Sequence, residues 1–175
     1  MSHRRRQWLA VLITASLVVS MLIGWGGYLR ARATPHYVQT TPGASATPGH
    51  ENNTSMRLAS LTVTQGLVTD RTVDYAPAGA LWVIAVVDYV PPPEGASCFL
   101  SLLATDGRTW TSRSSLDYRG YRVLPASCSA EPGQSGQVEL IYQIPEDAAS
   151  RLAGLVTGGL AYRGTDPYWV LTPPG

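Results

Sequence analysis

The longest apolar stretch of the chain lies near its N-terminus, at residues 8–29. It holds no charged residue, and no side of a helix drawn through it would be polar. From Trp8 to Tyr28 such a helix would span about 31 Å, which matches the hydrocarbon core of a bilayer. Aromatic residues flank the stretch, as they do at membrane–water interfaces. We therefore predict one transmembrane helix over residues 8–29 rather than a buried helix of a soluble protein.

The flanking charges indicate an orientation. Arg4, Arg5 and Arg6 precede the stretch and only Arg30 and Arg32 follow it, which favours a cytoplasmic N-terminus at residues 1–7. A cleaved export signal is the alternative. Residues 31–33 (ARA) have the shape of a cleavage site, and residues 5–9 (RRQWL) resemble a twin-arginine signal. The apolar stretch is longer than an ordinary signal core, which favours a retained anchor.

Residues 30–55 contrast with the stretch before them. Proline, glycine, threonine and serine dominate, and only Tyr37 and Val38 are bulky and apolar. A segment of this composition buries too little surface to fold by itself. We predict a disordered linker over residues 30–55 and a folded domain over residues 56–175.

The pattern within the domain is that of strands. Residues 137–144 alternate between apolar and polar side chains, as in a strand with one face in water. Residues 81–90 are apolar on both faces, which is typical of a central strand. Asp106-Gly107 between residues 98–105 and 108–112 predicts a hairpin. Weaker strand signals follow the same spacing, at residues 58–64, 66–72, 121–124, 158–163 and 168–172.

One short helix interrupts this pattern, over residues 145–152. Pro145 and two acidic residues form its first turn, and Gly154 is placed to end it. Short strands with turn residues between them favour an antiparallel β-sandwich. We predict a mainly β domain in which this helix crosses between the sheets.

Several motifs recur in an order known from one group of domains. The sequence from Gly79 to Val87, Cys98, DGRTW at 106–110, Cys128, PGQSG at 132–136 and IPE at 144–146 together resemble the bacterial immunoglobulin-like (telokin-like) domains of unknown function on anchored envelope proteins. The resemblance covers about residues 58–173. It implies an immunoglobulin-like sandwich and no catalytic residues. A spanning helix stands where related chains carry a lipobox cysteine.

Charge and composition exclude some functions. After residue 33, eight arginines face twelve acidic residues, so no excess of positive charge is left for nucleic acid. The chain has no lysine and no histidine after residue 50, which removes the commonest general base and amine nucleophile. We expect no catalytic, cofactor-binding or metal-binding residues. A two-carboxylate hydrolase and a surface calcium site stay open, because carboxylate pairs can be distant in sequence.

The two cysteines are an even pair. In an exported domain, Cys98 and Cys128 are most simply a disulfide. A redox or nucleophilic cysteine would need a neighbouring base, and the domain has neither histidine nor lysine for that role.

Residues 107–124 invert the charge of the domain, with four arginines against Asp117. Arginine and aromatic residues are the anchors of many interfaces. The simpler interpretation is a solvated loop with Trp110 in the core. The functional one is a contact for a partner protein or an anionic polymer. Its candidate residues are Arg108, Arg113, Tyr118, Arg119, Tyr121 and Arg122.

We therefore expect a membrane-anchored extracytoplasmic binding or scaffolding module without catalytic activity or cofactor. Its expected contacts are the membrane and an envelope protein or anionic envelope polymer, not nucleic acid. One alternative is an accessory subunit of a larger envelope complex that packs through its helix, since Gly24, Gly26 and Gly27 cluster near the outer end of the span. The other is a carboxylate-based hydrolase.

Overall fold

The chain has two compact units, residues 1–36 and residues 37–175, and each is described by itself. A computed structural model describes residues 3–33, 35–47, 54–68, 72–93, 98–113, 124–125, 127–157 and 168–174.

The first unit is one α-helix, α1 (His3–Ala33). The part from Val11 to Leu29 is long and apolar enough to cross a membrane, and a signal sequence would have the same properties. Its side chains from Val11 to Leu29 are all exposed. The predicted helix is confirmed as a helix, and its insertion stays a prediction.

The second unit is mainly β and contains, among the described residues, ten strands in two sheets and a separate hairpin. They are β1 (Tyr37–Gln39), β2 (Ser55–Thr64), β3 (Gly66–Val68), β4 (Val73–Tyr75), β5 (Ala80–Val90), β6 (Leu100–Ala104), β7 (Thr109–Thr111), β8 (Gly136–Pro145), β9 (Leu152–Thr157) and β10 (Tyr168–Leu171).

One sheet has the strand order β2-β5-β8, and both of its pairs are antiparallel. The other has the order β1-β10-β9-β6-β7. Alternate residues of each sheet meet in a common core, where Val83, Ala85 and Val87 of β5 are fully buried with Leu102 and Leu155 of the opposite sheet. The prediction of a mainly β sandwich is confirmed.

The strand β5 is apolar on both faces because both faces are covered. Its outward Trp82 packs with Ile141 of β8 and with Leu67 of β3 in a second apolar cluster. The indole N–H of Trp82 donates to the carbonyl oxygen of Asp74 at 3.2 Å. The hairpin β3–β4 therefore lies over the outer face of the three-stranded sheet.

The predicted Asp106-Gly107 hairpin joins β6 to β7. Its turn has three residues rather than two: Ala104 pairs with Arg108, and the N–H of Gly107 donates back to Ala104 at 3.0 Å. Gly107 has φ +86°, in the left-handed region that this loop requires.

The predicted short helix is a 3₁₀ helix, Glu146–Arg151, and it connects β8 of one sheet to β9 of the other. The predicted end at Gly154 is wrong. Leu152 already begins β9, and Gly154 lies inside that strand with φ +140°. Three strands are not predicted from the sequence: β1, β4 and β9. The predicted strands at 121–124 and 158–163 lie almost entirely outside the described residues.

The expected linker is wrong over residues 37–47. Strand β1 pairs in parallel with β10, placing Tyr37 opposite Tyr168. Thr40 and Thr172 then bond twice: the N–H of Thr172 donates to the Thr40 hydroxyl at 3.1 Å, and the Thr172 hydroxyl donates to the Thr40 carbonyl at 2.9 Å. Ala46 bridges to Met56. A few hydrogen bonds from backbone and hydroxyl groups attach this segment to the domain. Such bonds need no run of apolar residues, so the hydrophobic pattern of the sequence does not reveal them.

Candidate functional site

Part of the predicted binding segment belongs to the described structure. Arg108 and Arg113 are described, whereas Tyr118, Arg119, Tyr121 and Arg122 lie outside the described residues. The two described arginines have different surroundings, so each is taken in turn.

Arg108 lies in a network of four charges. Its Nε lies 3.0 Å from Asp106 Oδ2 and its Nη2 lies 3.3 Å from Asp147 Oδ2. Arg151 binds the same two carboxylates, at 3.3 Å and 2.6 Å. The network connects the β6–β7 turn to the 3₁₀ helix. The guanidinium of Arg108 also lies 5.6 Å from the ring centre of Trp110.

This network shifts the ionisation of its members. The N–H of Arg108 donates to Asp106 and lowers the pKa of that carboxyl, and the guanidinium groups of Arg108 and Arg151 lower it further. Desolvation lowers the pKa of Arg108, but its two carboxylate partners outweigh that effect and raise it. Asp106 thus stays ionised, which suits a structural charge and not a general acid. The charge of Arg108 is balanced by neighbours, so it adds little to the positive potential of the segment.

Arg113 marks the start of a loop that is held at both ends. Its N–H donates to the carbonyl of Ile141 at 2.7 Å, and the N–H of Glu139 donates to the carbonyl of Pro125 at 2.9 Å. Ile141 and Glu139 lie two residues apart on β8. The chain therefore leaves and rejoins the same strand at neighbouring positions on either side of residues 114–124.

The predicted disulfide is confirmed. Cys98 is bonded to Cys128, with their Cα atoms 5.8 Å apart. The buried hydroxyl of Tyr89 accepts hydrogen bonds from the N–H groups of Ser129 at 2.9 Å and Ala130 at 3.0 Å. The disulfide and the Tyr89 hydroxyl together attach residues 128–130, which follow the loop, to one end of the sandwich.

A cleft of about 710 Å³ opens beside this point. A polar row crosses it: Arg57 Nε donates to Asp88 at 3.1 Å, and Gln137 Nε2 donates to Asp88 at 2.7 Å. Partial burial raises the pKa of Asp88, and these hydrogen bonds outweigh burial and lower it overall. The cleft is lined by Arg57, Asp88, Tyr89, Leu124, Pro125, Ser129, Ala130, Ser135, Gly136 and Gln137.

The one signal that pointed toward the cleft is Asp88, an acid inside the apolar run 81–90. Its partners come from β2 and β8, at the positions directly opposite it. Only the strand register brings these three residues together. Within the described ranges, no three His, Cys, Asp or Glu side chains group closely enough to hold a metal ion.

Comparison with known proteins adds one structural likeness. No family model and no curated protein matches the chain. A solved structure of an uncharacterized β-sandwich protein from Clostridium difficile 630 is similar, with a TM-score of 0.48 and 10% sequence identity. The match covers 78% of this chain and 94% of that one. The strand pairing of the chain itself shows the sandwich.

Proposed function

We propose that the protein is a membrane-anchored extracytoplasmic binding module with an immunoglobulin-type sandwich and no catalytic role. One observation carries the proposal: an uncharged helical segment, Val11–Leu29, precedes a domain whose two cysteines are joined. A disulfide persists in oxidising compartments, and the arginines before the helix favour a cytoplasmic N-terminus. Together they favour export of the domain with retention of the helix.

The strand order supports the immunoglobulin-type assignment. Neighbours β10-β9-β6-β7 correspond to strands G, F, C and C′ of a variable-type domain, and β2-β5-β8 correspond to A, B and E. The 3₁₀ helix then occupies the connection from E to F. The chain departs from that scheme in several ways. Among the described residues, no strand D pairs with β8, and β1 is added beside β10. The hairpin β3–β4 is inserted between A and B, and the disulfide does not join B to F.

The binding surface that we propose is the loop between Arg113 and Pro125. Its two ends are held on β8, and the disulfide holds the chain after it, so fewer conformations are lost on binding. Since Arg108 is balanced by two acids, the cationic contacts fall to Arg119 and Arg122. Such a loop would suit an acidic protein surface or an anionic envelope polymer.

Membrane fractions test the anchor. After alkaline carbonate extraction, the intact mass of the membrane-bound protein should include residues 1–33 and lack two hydrogens for the disulfide. A mature chain that begins at Thr34 would contradict the anchor, and two alkylatable thiols in the native protein would contradict export.

Capture in native membranes tests the binding loop. Chemical crosslinking to envelope components should be lost in a variant with Arg119→Ala and Arg122→Ala. The matched control carries Arg57→Ala and Arg151→Ala, which removes the same charge from elsewhere in the domain and should leave capture intact. If both variants capture as much as the wild type, the binding surface lies elsewhere. Loss in both would assign the effect to net charge.

A further inference from the structure

The strand registers define two ends of the sandwich. At one end β1 begins at Tyr37, opposite Tyr168, and β6 begins at Leu100, opposite Thr157. We call this the tethered end, because the chain enters the domain there. At the free end lie the Asp106 turn, the 3₁₀ helix and the hairpin β3–β4.

The docking of β1 makes the connection to the apolar segment short. Seven residues, 30–36, separate Leu29 from Tyr37. Helix α1 continues for four of these residues, to Ala33, which adds about 6 Å along its axis. The three residues from 34 to 36 span at most about 11 Å when fully extended. A free linker over residues 30–55 would reach about 28 Å on average. The tethered end is thus confined near any bilayer that holds residues 11–29.

The tethered end exposes apolar side chains. Phe99, the single phenylalanine of the chain, is 76% exposed beside the disulfide. Tyr37 and Val38 on β1 and Val90 at the end of β5 are exposed too. Tyrosine is enriched at membrane–water interfaces, and phenylalanine is among the residues that surface-bound segments bury at the boundary between headgroups and acyl chains.

We propose that the tethered end of the sandwich rests on the lipid surface, with Phe99 and its exposed apolar neighbours in the headgroup layer. This inference depends on the proposed membrane anchor. It gives the domain a fixed polarity in which the lipid bilayer covers the tethered end and the free end faces outward. The hairpin β3–β4 exposes apolar residues as well, but it follows the opposite end of β2, about 26 Å away along the strands from the end where the chain enters the domain.

A pair of tryptophan variants in the full chain tests the polarity. Phe99→Trp adds a fluorophore at the tethered end, and Tyr75→Trp adds one on the hairpin, where the native side chain is 71% exposed. Each variant is reconstituted into phosphatidylcholine–phosphatidylglycerol vesicles with and without brominated acyl chains. The five native tryptophans contribute the same background to both. We expect bromolipid to remove most of the emission added by Phe99→Trp and to leave that added by Tyr75→Trp unchanged.

Three controls separate the possible failures. Val90→Trp repeats the measurement at a second exposed position of the tethered end, and the disulfide mass verifies that each variant is folded. If the chain does not float with the vesicles, the anchor fails and the inference fails with it. If it floats while Phe99→Trp and Val90→Trp are no more quenched than Tyr75→Trp, the anchor stands and the inference is overturned.

Discussion

Gly154 is the position where a single added methyl group should do most damage. It lies inside β9 with φ +140°, and a Cβ built there would lie 2.2 Å from the carbonyl oxygen of Leu171 on β10. Backbone strain at positive φ costs about 1–3 kcal/mol. The overlap also forces β9 away from β10, which endangers the backbone hydrogen bonds of that pair at about 1 kcal/mol each. Gly154→Ala should therefore lower the free energy of unfolding by about 3–5 kcal/mol, a large part of the total for one domain.

The control for this variant is Gly107→Ala. Gly107 also has a positive φ, +86°, but a Cβ there would meet nothing within 4 Å. Its expected cost is the left-handed backbone alone, about 1–2 kcal/mol. Urea unfolding of the detergent-purified full chain, followed by near-ultraviolet circular dichroism, measures both variants. Equal losses would refute the reasoning, because they would show that the strand contact at Leu171 adds nothing to the backbone effect.

Two further predictions concern the disulfide and the charge network. Cys98→Ser with Cys128→Ser should lower the free energy of unfolding by about 3.7 kcal/mol, from the lost closure of a loop with sequence separation 30; a wild-type urea midpoint unchanged by reductant would contradict it. The lowered pKa of Asp106 means that its stabilising effect is complete above the ordinary aspartate pKa of about 4 and is lost as the pH falls through the lowered value. Asp106→Asn should flatten this acid dependence of the urea midpoint, whereas an acid limb identical to that of the wild type would place the effect on other carboxyls.

The local pattern of the sequence was enough for the strands that bury one face or both. The alternation over 137–144 and the continuous apolar run 81–90 correspond to β8 and β5, because side-chain direction repeats every two residues in any strand. The expectation that one face of β8 lies in water is wrong for Glu139 and Ile141, which are buried on that face. The Asp106-Gly107 turn was predictable for a similar reason, since its chemistry is contained in adjacent residues. The paired cysteines followed from number and context alone.

Long-range pairing decided the rest. Strand β1 has three residues, and its attachment comes from β10 and Thr172, more than a hundred positions away. The local sequence around Gly154 predicts the end of a helix, whereas the role of this residue depends on the backbone of β10 beside it. The charge of Arg108 is balanced in part by Asp147, which is distant in sequence. The hydrogen-bonded row across the cleft consists of Arg57, Asp88 and Gln137, which lie on three different strands.

By itself the sequence determined an apolar N-terminal helix, a mainly β domain, one disulfide and a reversal of charge over residues 107–124. These are properties of composition and of short-range periodicity, which the chain carries before it folds. Only the tertiary structure decided where the domain begins, which end of the sandwich receives the chain and which arginine is balanced by acids. Each of those depends on strand register, and register is set by the joint packing of segments distant in sequence, not by any one of them.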